Sequence, residues 1–280
     1  MNRDVENFLS SQTYSDETKS TYAAVLDELV HHPVKDWHAS DLLAFVCRDN
    51  WGNSRRYVNL CACRKFIAWQ FGNTHPALSA RLKRINPKKG RSLSIERVSE
   101  LLASFDTYTA IGARDLALAA LAIDTGLRES ELARIQLADV DLEHRTLQVI
   151  VKGGQWGVAV YSPETVAILD RWLVYRKPAD GVGSLFVSMR LDKTKGRQLT
   201  RHGIKSIFKK WGVRLGWKLS PHDARRTFGN ITTQYGSPAS ITMAAGRWES
   251  EESFRRYQQE ITALMITPYL PITHALKPKT

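Results

Sequence analysis

Cutting a phosphodiester without a metal takes a nucleophile, cations that hold the non-bridging oxygens as charge builds, and an acid for the departing 5′-oxygen. Side chains of all three kinds stand in five places along this sequence. They are Thr125-Gly126-Leu127-Arg128-Glu129-Ser130-Glu131-Leu132, Lys152 ahead of Gly153-Gly154, His222-Asp223-Ala224-Arg225-Arg226-Thr227-Phe228, Ala245-Gly246-Arg247-Trp248, and Phe254-Arg255-Arg256-Tyr257-Gln258. A guanidinium suits phosphate holding because its planar fork donates two bonds to one phosphate. His222 and Arg225 are three apart and share one helix face, as groups addressing one phosphate must. In isolation each has a plainer reading: Arg128 and Glu131 as a surface pair at i,i+3, Lys152 as a solvated hairpin lysine, His222 as a structural histidine, Trp248 and Tyr257 as packing aromatics.

The elements that must position these groups follow from periodicity and caps. Helices are expected over 5–11, 15–31, 40–48 and 54–71, the last stopped by Gly72. In that last helix Arg55/Arg56 and Arg64/Lys65 are nine positions apart, which at ~100° per residue puts the two pairs on opposite faces. Asn86-Pro87-Lys88-Lys89-Gly90-Arg91 has the composition of a linker, so one unit is expected at 1–86, a linker at 87–92 and a second unit at 93–280. The second unit continues with helices at 94–104, 110–125 and 130–136. The period then changes: 145–151 and 157–161 are β-branched-rich runs joined through Gly153-Gly154, a hairpin signature. Helices return at 163–176, 200–215, 222–235, 237–245 and 251–264. The expected fold class is mainly α with a small antiparallel β-sheet: a helical N-terminal unit and a mixed α/β second unit.

The chain has 280 residues, enough for two domains with sizeable cores. No stretch approaches the ~18 apolar residues of a membrane span, and the N-terminus lacks the apolar core and cleavage site of a secretory signal. A cytoplasmic, nucleoid-associated protein is expected. Cys47, Cys61 and Cys63, odd in number and clustered, make neither a disulfide framework nor a four-ligand zinc site, and read as small core residues. No metal ligand set is expected. The net charge of +12 points to a polyanionic partner, and its distribution says more. From Asn50 to Ile95 there is no acidic residue, while Arg55, Arg56, Arg64, Lys65, Lys88, Lys89 and Arg91 are among ten basic ones. From Lys193 to His222 the pattern repeats, with Arg201 and Lys205 among nine. Two acid-free blocks, one in each half, suit a clamp on a phosphate backbone that carries one charge per ~1.7 Å. A solvated basic face is the plainer alternative.

The order and spacing of the five motifs resemble those of the tyrosine recombinases and phage integrases, in particular the Cre- and Xer-like simple recombinases. Thr125 to Leu132 is similar to the family's TGxRxSEL. The resemblance makes Arg128 the first phosphate-holding arginine and Glu131 the acidic residue that orients active-site groups. Lys152, 24 residues after Arg128, stands at the family's hairpin lysine, which protonates the leaving 5′-hydroxyl. This chain departs from the usual pattern just beyond it, with Gln155-Trp156-Gly157 where further cations are common. His222 to Phe228 resembles HxLRRTF with Ala224 for leucine, which makes Arg225 the second phosphate clamp and His222 an acid/base or hydrogen-bond donor. Trp248 follows His222 by 26 residues and precedes Tyr257 by nine, intervals similar to those of the Cre-like members, where tryptophan replaces a histidine. An indole N–H donates to a phosphate oxygen but cannot shuttle a proton. Trp248 is therefore taken as the donor, with Arg247 the fallback if the register slips by one. Tyr257 is the implied nucleophile.

The resemblance implies site-specific recombination through a 3′-phosphotyrosyl intermediate and a Holliday junction, with no cofactor. It implies double-stranded DNA with a specific core site as partner, a homo-tetramer on DNA that is monomeric when free, and accessory proteins in some systems. The first unit, with Thr18 and Tyr22, resembles the helical core-binding domain. Its start close to Met1 leaves no room for an additional arm-binding domain. After Tyr257 the apolar tail through Leu270, Ile272 and Leu276 matches a segment that family members pack on a neighbouring protomer. The competing reading keeps the fold without catalysis: an inactive recombinase-derived DNA-binding protein. A type IB topoisomerase or a telomere resolvase fits the length and two-unit layout less well, and a helical nucleic-acid-binding module with coincidental motifs is the remaining alternative.

Overall fold

Helix caps punctuate the chain from its first residues. In the computed structural model, which describes residues 1–48, 51–83, 90–150 and 154–248, Asn2 accepts from the Asp4 N–H to open α1 (Arg3–Ser10), and Ser15 from the Thr18 N–H to open α2 (Asp16–Leu29). α3 (Ala39–Cys47) opens with the Asp41 carboxylate accepting from the His38 N–H at 2.7 Å. α4 (Asn53–Phe71) runs 19 residues and stops at Gly72, whose φ of 88° only glycine adopts without strain. α4 packs against α1, α2 and α3, burying Phe66 and Ile67 against Phe8, Leu26, Leu29 and Leu42. Cys63 lies in this core and burial pushes its thiol pKa up to about 12, as an inert packing residue requires. Cys47 and Cys61 are only half-buried, short of the core position expected for all three.

Contacts within the chain divide it into two units, Met1–Pro87 and Lys88–Thr280. The second is organised around α6 (Ala110–Thr125), so alanine-rich that neighbouring helices approach it closely. Eleven of its residues are buried, and α8 (Pro163–Tyr175) and α10 (Pro221–Gln234) pack on it. α5 (Ile95–Ala103) precedes it; α7 (Glu129–Arg134) follows and packs on α9 (Arg201–Arg214), while α11 (Ala239–Gly246) lies against α10.

A three-stranded antiparallel sheet, β1 (Val140–Asp141), β2 (Thr146–Ile150) and β3 (Trp156–Val160), has the order β1-β2-β3, with Ile150 opposite Trp156 at the tip. Leu147, Val149 and Ala159 point into the core, and Trp156, Val158 and Val160 point out of it. The expected hairpin is present, shortened at Arg145, whose φ of 55° places it in the turn before β2. β1 was not expected. The stretch 177–199 makes two isolated bridges: Gln136 to Ser184, which ties it to the rest of the unit, and Val187 to Gln198, which closes it on itself. The expected helix at 251–264 lies outside the described residues, as does the tail after it. The fold is mainly α with a small antiparallel sheet, and no described helix is long and apolar enough to cross a membrane.

Candidate active site

Arg128 is placed by the way α6 ends. Gly126 turns left-handed (φ 59°, ψ 24°) and donates to the Ala122 carbonyl, closing the helix. A Cβ at Gly126 would fall 2.7 Å from the Phe228 ring. Two residues on, Arg128 becomes the N-cap of α7, and Glu131 on the first turn accepts from it twice: from the backbone N–H at 2.8 Å and from Nη1 at 2.7 Å. The same carboxylate thus caps the helix and aims the guanidinium, whose side chain stays 35% exposed while Glu131 is buried.

α10 delivers the second group of residues. Ser220 accepts from the Asp223 N–H and Pro221 occupies the first helical position. The buried Asp223 carboxylate accepts from Ser220 Oγ at 2.7 Å and meets Arg226 at 3.3 Å and Arg91 at 3.4 Å. Arg225, one position before Arg226, is 1% exposed. Its Nη1 donates to the Gly126 carbonyl at 2.5 Å and its Nη2 to the Gly246 carbonyl at 2.7 Å. Arg225 therefore joins the end of α6 to the end of α11. Its guanidinium carbon lies 4.2 Å from the centre of the Trp248 ring, and Trp248 stacks on Phe228 at 6.1 Å with 9° between planes.

Arg128, Glu129 and Ser130 from α7, Arg201 from α9, and Pro221, His222 and Arg225 from α10 line one open cavity of about 360 Å³. Glu129 lies 3.7 Å from Arg201. With three arginines against one lining carboxylate, the cavity favours an anion with oxygens on several sides. Desolvation by the surrounding protein, then the charges of Arg226 and Arg225, hold the His222 pKa below the ordinary histidine value, which Asp223 only partly offsets. The imidazole is thus kept neutral at pH 7, with one ring nitrogen able to donate and one able to accept.

The structure thus brings Arg128, Glu131, His222, Arg225 and Trp248 together. Lys152, Tyr257, Lys88 and Lys89 lie outside the described residues. Of the expected DNA contacts, Arg201 opens α9 inside the cavity, Lys205 follows one turn later and is exposed, and Arg91 meets Asp223. In the first unit Arg64 and Lys65 line a groove of about 990 Å³ with Arg81 and His38, and Lys65 donates to the Tyr14 hydroxyl at 3.1 Å. Arg55 is exposed, with its guanidinium 5.8 Å from the Trp51 ring, and Arg56 is half-buried. Sequence reasoning missed Arg201 as a cavity residue, Asp223 as the hub that holds Arg226 and Arg91, and the place of Arg247. Its side chain turns to the Thr125 carbonyl at 3.0 Å and to Glu131 at 4.0 Å. The i,i+3 spacing of Asp223 and Arg226 was the available signal for the hub.

The sequence profile of the phage integrase family matches residues 91–262. The chain belongs to the phage integrase family. Members of this tyrosine recombinase family are site-specific recombinases, and the matched region contains all five motifs. The chain is 29% identical over 239 residues to the tyrosine recombinase XerC of Actinobacillus pleuropneumoniae serotype 7, covering 80% of this chain and 75% of that protein. It is 29% identical over 212 residues to the tyrosine recombinase XerD of Neisseria meningitidis serogroup A, covering 72% and 71%. In fold it resembles the Tn1549 transposon integrase solved in complex with transposon right end DNA, with a TM-score of 0.73, 17% identity and coverage of 97% and 98%. A lambda integrase dimer bound to a core site gives a TM-score of 0.72 at 13% identity, covering 92% and 94%.

Proposed function

We propose that this chain is a site-specific DNA recombinase that cuts and rejoins one strand at a time through a 3′-phosphotyrosyl intermediate, exchanging strands by way of a Holliday junction. The observation that carries the reading is the convergence of Arg128 with His222 and Arg225, from two stretches far apart in sequence, on one cationic cavity, with Trp248 from a third stretch against the Arg225 guanidinium, in a member of this family. In the reaction the Tyr257 oxygen attacks phosphorus as its proton passes to the accepting ring nitrogen of neutral His222, the bond to the 5′-oxygen breaks, and Lys152 supplies the proton that completes the 5′-hydroxyl. Arg128 and Arg225 hold the non-bridging oxygens, and His222 and the Trp248 indole N–H donate to them as charge builds. Arg225 is well suited to this, because two of its N–H groups are already committed to carbonyls that fix the plane of its guanidinium. No metal or nucleotide takes part. The free 5′-hydroxyl of a second duplex reverses the attack, so the bond energy is conserved.

The partner is double-stranded DNA with a specific core site, on which four copies assemble, with accessory proteins where the system uses them. The first unit grips the duplex as a core-binding domain through Arg55 and Arg56 or through Arg64 and Lys65. Lys88, Lys89 and Arg91 follow it across the linker at 87–92, and the second unit, 93–280, adds Arg201 and Lys205. Xer-type relatives and DNA-bound integrases of the same fold support this reading. The test is incubation in EDTA with a nicked duplex from the DNA flanking the coding region. A denaturant-resistant adduct on the 3′ side supports the proposal. Tight binding without an adduct supports the inactive DNA-binding alternative, and relaxation of supercoiled plasmid lacking that DNA supports a topoisomerase.

A further inference from the structure

Among the described residues only Arg145 and Arg247 take a positive φ without being glycine. Arg145 sits in the tight turn ahead of β2. Arg247 ends α11 with φ 56° and ψ 47°, a left-handed position that glycine fills without the Cβ penalty. The residue that stands there is instead one of the largest, and its side chain is only 10% exposed. Backbone strain of this kind persists where the surrounding contacts over-determine it. Those contacts are specific: Nη1 donates to the Ala245 carbonyl at 2.7 Å and Nη2 to the Thr125 carbonyl at 3.0 Å, and Nη2 stands 4.0 Å from Glu131 Oε2.

The partners define the consequence. Thr125 closes α6, so Arg247 and Arg225 between them satisfy two successive carbonyls, of Thr125 and Gly126, at the negative end of that helix. Glu131 Oε2 is the same oxygen that accepts from the Arg128 N–H, while Oε1 accepts from the Arg128 guanidinium. With Arg128 alone, the carboxylate would neutralise the charge it orients. With Arg247 behind it, two cations share one anion, and the cluster keeps a net positive charge on the side where Arg128 is exposed. Burial and the charge of Arg128 both weigh against a cation at Arg247, and Glu131 opposes them.

We infer that Arg247 is a positioning residue of the phosphate site: wedged between the Thr125 carbonyl and Glu131, it fixes the carboxylate so that Glu131 orients Arg128 without cancelling its charge. The inference rests on the recombinase reading above and adds to it a residue that acts through Glu131 and Arg128. The test compares full-length wild type, Arg247→Gly and Arg247→Lys in single-turnover adduct formation on the nicked flanking duplex, with duplex affinity and thermal unfolding measured alongside. Glycine relieves the left-handed strain, so Arg247→Gly is expected to unfold at or above the wild-type temperature while forming adduct roughly ten-fold more slowly or worse, the scale of losing a group that orients a site residue. Methylguanidinium added to Arg247→Gly is expected to restore part of the rate, and Arg247→Lys to retain part of it. Adduct formation by Arg247→Gly at the wild-type rate overturns the inference. So does a slowed Arg247→Gly that unfolds at a lower temperature and responds to neither methylguanidinium nor lysine, since that is a structural role. Absence of adduct from wild type itself overturns the recombinase reading, and this inference with it.

Discussion

Replacing Glu131 with alanine removes a carboxylate that does two jobs, and the cost can be worked from its partners. The bond from the Arg128 N–H at 2.8 Å caps α7, and loss of such a cap costs about 1 kcal/mol. The bond from Arg128 Nη1 at 2.7 Å is charge-assisted, but that side chain is 35% exposed, so water replaces much of it and about 1 kcal/mol is appropriate. Arg247, 10% exposed, loses its facing anion at 4.0 Å, which adds about 1 kcal/mol more. The sum of about 3 kcal/mol lowers the unfolding midpoint of a unit of this size by about 6–12 °C. Glu131→Gln keeps an oxygen for the Arg128 N–H and is expected to lose about half as much. Circular dichroism melts of the three proteins measure this directly. An alanine variant melting within about 2 °C of wild type would refute the reasoning, because it would mean the capping and pairing geometry has no energetic weight.

His222, held neutral by burial and neighbouring guanidinium groups, is expected to titrate by NMR with a midpoint below 6.5. Since its folded pKa is lowered, its contribution to stability is present above the unfolded value and declines as pH falls toward the folded one, and His222→Gln should flatten that window; a midpoint above 6.5 would contradict the assignment. Gly126→Ala forces a Cβ to 2.7 Å from Phe228 at a left-handed φ of 59°, and urea titration should register a loss of about 2–3 kcal/mol. Asn59 is fully buried in α4, and its amide oxygen and nitrogen have no hydrogen-bond partner among the described residues. Asn59→Leu is expected to stabilise the protein by about 1–2 kcal/mol in the same titration, and destabilisation would mean that the amide is satisfied after all.

The elements were legible where a cap and a period agree. The helix expected at 110–125 is α6, because Thr109 and Gly126 bracket a run rich in alanine and leucine. α10 begins one residue earlier than expected, at Pro221, and the Ser220-Pro221 pair was the available sign. β1 escaped notice because two residues carry no period, and the pairing of Ser184 with Gln136, far away in sequence, is a tertiary matter. The clustering of Arg128, His222 and Arg225 was reached through motif spacing. What anchors Arg225 was not, since its partners are the carbonyls of Gly126 and Gly246, and a backbone oxygen leaves no trace in side-chain identity. Arg247 was weighed only as a stand-in for Trp248. That it ends a helix in the left-handed region is a property of φ, which the sequence would have suggested only for glycine.

The most direct test of the account is the chemical identity of the linkage. Wild type and Tyr257→Phe are incubated in EDTA with the nicked flanking duplex, the DNA is digested, and the peptides are read by mass spectrometry. Wild type is expected to carry a nucleotide attached through its 3′-phosphate to the phenolic oxygen of Tyr257, with the phenylalanine variant binding the same duplex and forming no adduct. An adduct on any other side chain, or one that persists in Tyr257→Phe, would contradict it.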